Sequence, residues 1–300
     1  MASELEPDAD APAAAAARDV VKATIATSRT LLLAHLSAAR EGEAEGVHQS
    51  RVALRRLRSD LRTFEPLLDA AWVDDLRSRM RVLAATLGTV RDDDVHLRRV
   101  DAYASRGGVH GVSGVAGVVE RLQRERAQHR AELRAMLDDP TTARLLDDLR
   151  AAADDPPTSP SADAPADEVV APLVRKRWKR LRRAVTALDD EPSDRDLHRL
   201  RIKVKQVRYA SMAVAPVYGK PAARLARRLG RLQDALGVVS DAAALSARLR
   251  AITDALTVPE ALAVGEGLGR LGADADAARA RWPDDWRRAK AKRLRRWMER

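Results

Sequence analysis

The chain has 300 residues and no cysteine, and its 54 Lys and Arg outweigh 44 Asp and Glu for a net charge of +10. That length is enough for about two domains with a proper core. The missing cysteine excludes disulfides, thiolate metal sites and thiol catalysis, while the charge asks for an anionic partner.

The first stretch, MASELEPDADAPAAAAARDV, is acidic and alanine-rich. It lacks the basic start and apolar core of a signal peptide, and residues 1–17 read as disordered. No apolar run approaches the ~20 residues that span a bilayer, so the expectation is a soluble, cytoplasmic protein without membrane contact. The chain is rich in Ala, Leu, Arg, Asp and Glu, all but Asp good helix formers, and almost nothing alternates with period two. Helices are predicted over 18–40, 47–65, 70–88, 93–105, 115–138 and 141–152. A second set is predicted over 168–189, 194–216, 219–237, 241–256, 259–272 and 275–299. The five glycines of SRGGVHGVSGVAG (105–117) predict a loop. DDPPTSPSADAPADE (154–168) reads as a linker that cannot pack a core, dividing a bundle over 18–153 from one over 169–300.

The two sides of that linker are alike. HQSRVALRRLR begins at His48 and HRLRIKVKQVR at His198; without gaps, Arg51 matches Arg201, Arg55 matches Lys205 and Arg58 matches Arg208. Further on, LAATLGTVRD (83–92) matches LQDALGVVSD (232–241). Two blocks in the same order, at nearly the same separation, indicate a tandem duplication.

His48, Arg51, Arg55, Arg58 and Arg62 follow at steps of three, four, three and four, the spacing of a packing seam that normally carries leucine. The cations occupy an arc of roughly 80°. Leu54, Leu57, Leu61 and Phe64 lie on a neighbouring arc that can face the core. An arginine-rich face is usually solvated and laced by acids four residues away. Within 47–62 only Asp60 offers such a counter-charge, and the stripe recurs at matched positions in the other half. Planar guanidinium forks suit phosphate oxygens, and a histidine heading each stripe predicts tighter anion binding as pH falls.

The paired motifs, each followed by LG(T/V)V(R/S)D, resemble the CHAD domain, the conserved-histidine α-helical domain, over about residues 15–300. The resemblance implies an all-α fold: two pseudo-symmetric antiparallel helical bundles around a basic central channel that binds inorganic polyphosphate. Carried over, the ligand contacts would be His48, Arg51, Arg55 and Arg58 in one half and His198, Arg201, Lys205 and Arg208 in the other. Arg79 and Arg228, at matched positions ahead of the LG blocks, are weaker candidates, and Arg62 faces Met212 in the alignment and so breaks the symmetry.

Other features are read as structural. VRKRWKRLRR (174–183) presents a solvated or channel-rim face, and the tail WPDDWRRAKAKRLRRWMER is the last bundle helix, docked by Trp282, Trp286 and Trp297. The acids of RDDDV (91–95) and Asp241 read as N-caps after an LG stop. His35, His96, His110 and His129 lack metal spacing and are set aside, and no P-loop, GxGxxG or GxSxG is present. No cofactor, metal ligand or catalytic group is assigned. The expected activity is polyphosphate binding without turnover, with partners at polyphosphate granules. The rivals are a nucleic-acid-binding protein, disfavoured by 3% aromatic content, and a polyphosphate or triphosphate hydrolase.

Overall fold

The computed structural model describes residues 15–105 and 115–299. Among these residues the architecture is all-α, and extended backbone pairs only at two isolated bridges, Ala16 with Pro165 and Leu68 with Thr158. The predicted glycine loop lies largely outside the described residues, as does most of the N-terminal segment.

The first half comprises α1 (Ala17–Arg40), α2 (Ala44–Phe64), α3 (Ala70–Ser105), α4 (Ala116–Asp138) and α5 (Pro140–Asp154). The second comprises α6 (Ala166–Thr186), α7 (Asp194–Ala213), a single turn α8 (Ala215–Tyr218), α9 (Lys220–Ala251) and α10 (Val258–Ala289). Starts follow local chemistry. Ser193 accepts from the Asp196 amide ahead of α7, Asp139 caps α5 with Pro140 behind it, and Thr257 with Glu260 forms a capping box on α10.

α1 and α2 form a tight hairpin. The turn needs Gly42, whose φ is +84°, and the helices approach so closely that a Cβ on Gly46 would sit 2.6 Å from the Ala38 and Ala39 backbone. α2 buries Leu54, Leu57, Leu61 and Phe64, the arc expected to face the core. α7 does the same with Leu197, Leu200, Val204 and Val207. α2 packs on α3, α7 on α9, and α2 meets α7 across the halves. One apolar core draws on both halves, from Ala17 to Met298. A second gathers Leu97 and Val100 of α3, Leu122 of α4, Leu245 and Leu249 of α9, and Leu271 of α10.

That second core explains three corrections. The predicted breaks at 88–93, 237–241 and 272–275 do not occur, because α3, α9 and α10 run through them unbroken. Glycine within a helix costs only about 1 kcal/mol, and the buried residues of α3 and α9 beyond Gly88 and Gly237 outweigh it. The tail forms two short 3₁₀ turns, Lys292–Leu294 and Arg296–Met298, in place of a helix end. Trp286 and Trp297 are buried as expected; Trp286 stacks on Trp178 at 5.4 Å, and Trp297 lies tilted against Tyr218 at 4.7 Å.

The Pro/Ala/Asp stretch packs, contrary to expectation: Ala162 is fully buried. The Ser159 amide and hydroxyl donate to Leu67 and Pro66 carbonyls at 3.1 and 2.9 Å. A short apolar contact and a few backbone bonds secure a segment without any helical pattern. No helix among the described residues is long and apolar enough to cross a membrane.

Candidate functional site

The cationic arcs of α2 and α7 remain outside the apolar core and turn toward each other. Between them lies a cavity of about 450 Å³. His48, Arg51 and Arg55 enter it from α2, and His198, Arg201 and Lys205 from α7. α3 adds Arg91, Asp92 and His96, and α9 adds Gln233, Ser240 and Asp241.

The duplication is visible in the geometry. A Cβ added at Gly88 would lie 3.7 Å from Arg51 Nε, and one at Gly237 3.6 Å from Arg201 Nε. Each LG glycine is thus the shelf for one motif guanidinium. One turn further on, Arg51 reaches Asp92 at 3.2 Å and Arg201 reaches Asp241 at 3.8 Å. The Asp residues therefore sit inside helices as partners of the stripe and are not N-caps. Their neighbours serve packing instead. Buried Asp93 pairs with Arg248 and His129, each at 2.7 Å, and buried Asp94 pairs with Arg126 at 2.7 Å.

The cavity is short of negative charge. Among the described residues, five arginine and lysine side chains line it against the carboxylates of Asp92 and Asp241. Burial, then Arg201, Arg55 and Arg51, push the Lys205 ammonium down to about 8. Burial and Arg91 lower His48; burial, Arg201 and Lys205 lower His198. Both histidines are therefore biased toward the neutral form while no anion is bound.

Some expected contacts lie elsewhere. Arg58 and Arg208 do not line the cavity: Arg58 faces Arg77 and Arg81, whose charge adds to burial in lowering it, and Arg208 donates to Gln233 at 3.2 Å. Arg62 is exposed, and its carbonyl accepts from Arg177. Arg177 is buried, an exception to the solvated face read from 174–183, and burial pulls it down to about 10. Arg79 is neutralised by Asp75 at 2.7 Å and by Asp148. Arg228 lines a separate cavity. Off the stripe, Arg56 points to Asp60, 3.7 Å away. Asp60 is fully buried, and burial pushes it up to about 8 despite that cation.

Four contributors escaped the sequence reading. Arg91 and Gln233 come from α3 and α9, within the LG blocks but outside the His-headed stripes. His96, set aside as incidental, lines the cavity and accepts from Arg248 at 2.9 Å in the tautomer that leaves Nδ1 bare. Buried Tyr209 accepts from Arg55 Nε at 2.8 Å, and its ring lies 5.6 and 5.7 Å from the Arg55 and Arg208 guanidinium carbons. The signal was there: Tyr209 is an aromatic side chain directly after a stripe cation in an aromatic-poor chain.

The CHAD domain family model matches residues 23–250, which contain both motif helices and both LG blocks. The structure is similar to the CHAD domain from the plant Ricinus communis, with a TM-score of 0.71 at 25% identity over 93% of this chain and 96% of that one. PptA from Streptomyces chartreusis shares the fold with a TM-score of 0.74 at 22% identity, over 91% and 100% of the two chains. Two curated Mycobacterium tuberculosis relatives are the uncharacterized proteins MT2285 (strain CDC 1551 / Oshkosh) and Rv2226 (strain ATCC 25618 / H37Rv). Each is 32% identical over 189 residues, 59% of this chain and 35% of its own length, so the chain spans about a third of those relatives. Two matched stripes, each on its LG shelf, and a family match over most of the length lead to one conclusion: the chain belongs to the CHAD domain family.

Proposed function

We propose that the protein binds inorganic polyphosphate in the cavity between α2 and α7 and does not hydrolyse it. The observation that carries this reading is the excess of cations around one cavity supplied by both halves, where burial and then Arg201, Arg55 and Arg51 hold Lys205 at about 8. A chain of phosphates supplies that charge at several points and accepts forked hydrogen bonds from Arg51, Arg55 and Arg201. Among the described residues the lining contains no Phe, Tyr or Trp, so bases would find no stacking platform there, which favours bare phosphate over single-stranded nucleic acid. Asp92 and Asp241, the lining carboxylates, are each engaged by an arginine, which supports binding over metal-assisted turnover.

The test is polyphosphate retention on a filter, with DNA and RNA as competitors and phosphate release measured alongside. Arg51→Glu with Arg201→Glu abolishes retention while helicity stays intact. Arg55→Ala weakens binding roughly 10- to 100-fold, the scale of lost charge-assisted hydrogen bonds. Arg56→Ala leaves affinity within about two-fold, because this side chain turns to Asp60 and does not line the cavity. Undiminished retention by the Arg51/Arg201 double variant would sink the reading.

A further inference from the structure

Arg228 leads to a second cavity, of about 500 Å³, lined by Arg224, Arg227, Arg228 and Arg231 of α9 and by Arg293. It shares no lining residue with the channel. On α9 its arginines lie roughly 140° around the axis from Gln233, Gly237, Ser240 and Asp241, which face the channel. Among the described residues, no carboxylate comes within ion-pairing distance of any of the five, and none donates a hydrogen bond to protein.

The duplication shows how this face departs from its counterpart. Carrying the LG alignment eight residues upstream matches 75–82 with 224–231. The register holds in space, because Leu76 and Met80 of α3 and their partners Leu225 and Leu229 of α9 are all fully buried. In the first half this face carries Asp75, Ser78, Arg79 and Val82, and Asp75 pairs with Arg79 at 2.7 Å. In the second half the same four positions are Arg224, Arg227, Arg228 and Arg231. The acid that neutralises Arg79 has become an arginine. Arg293 is brought opposite by a 3₁₀ turn anchored through buried Leu294. Like charges at i,i+3 and i,i+4 destabilise a helix, so this face bears a folding cost that a bound anion relieves.

We propose that these five arginines form a second anion site that takes a short run of condensed phosphate, independently of the channel. The choice of condensed phosphate as ligand rests on the function proposed above; the site itself rests on the unpaired cations. Among the described residues the lining has no aromatic side chain on which a base would stack, and forked donors on successive helical turns suit several oxyanions in a row.

Titration calorimetry with tripolyphosphate counts the sites. The expectation is two per wild-type chain and one in the Arg51→Glu, Arg201→Glu protein. One is also expected after Arg224→Ala, Arg228→Ala and Arg231→Ala together. If the triple variant keeps the wild-type stoichiometry and affinity, the second site does not exist. Failure of the channel reading gives a different pattern: the channel variant keeps the wild-type stoichiometry. Folding of the variants is bypassed by labelling the wild-type chain with phenylglyoxal. Tripolyphosphate should protect Arg224, Arg228 and Arg231, and unchanged labelling overturns the proposal. Stronger protection of these arginines by single-stranded DNA than by tripolyphosphate at equal phosphate concentration overturns it in favour of a nucleic-acid site.

Discussion

Lys205 is the side chain on which the electrostatics of the cavity register most directly. Its ordinary value is 10.5, and burial with three neighbouring guanidiniums brings it to about 8. Below about pH 8 both folded and unfolded chains hold this proton, and the full cost of the buried charge weighs on the fold. As pH rises from about 8 toward 10.5 the native state releases its proton first, and stability gains. A bound polyanion favours the ammonium, so binding takes up a proton and affinity falls as pH rises through about 8. Lys205→Arg keeps its charge throughout. Dissociation constants at pH 7 and 9 should therefore differ clearly for the wild type and little for the variant. An equal loss in both proteins would remove Lys205 from the ligand contacts. The histidines, lowered from 6.5, act in a more acidic window than the sequence reading implied.

At the scale of elements, α2 holds the cavity in register because it is fixed on two sides. Its leucine arc is buried against α1 and α3, and its N-terminal turns are clamped by the Gly46 approach to α1. A methyl at Gly46 meets backbone and not a yielding side chain, so Gly46→Ala should destabilise by about 1–3 kcal/mol, the usual range for overpacking. Chemical denaturation measures this, and a change below about 0.5 kcal/mol would show that the hairpin adjusts. The helical arcs of α2 and α7 were legible from spacing alone, because periodicity reports a face directly. The continuity of α3 and α9 was not. An LG followed by Asp looks the same whether it stops a helix or lies beneath an arginine, and only the partner helix distinguishes them. The same holds for Arg79 and Arg228, matched in sequence yet set in opposite charge environments by Asp75 and Arg224.

For the whole molecule, the cavity lies where the halves meet, so a ligand there contacts both and binds the native state alone. At a free polyphosphate concentration of 1,000 times Kd this adds about 4 kcal/mol of stability. Differential scanning fluorimetry should show a rise of several degrees at low salt that shrinks steeply as salt increases. The Arg51→Glu, Arg201→Glu protein should show much less. A wild-type shift indifferent to salt would argue against charge-driven binding.

The sequence by itself determined the helical class, the duplication, the two cationic stripes and the family, because each is written in spacing along one helix or in repeated order along the chain. Tertiary structure alone decided which cations face one another, which are neutralised and which stand bare. Arg51 meets Asp92, 41 positions away, and Arg55 meets Tyr209, 154 positions away. No local pattern encodes such pairs, because they form only when separate helices close on a shared space.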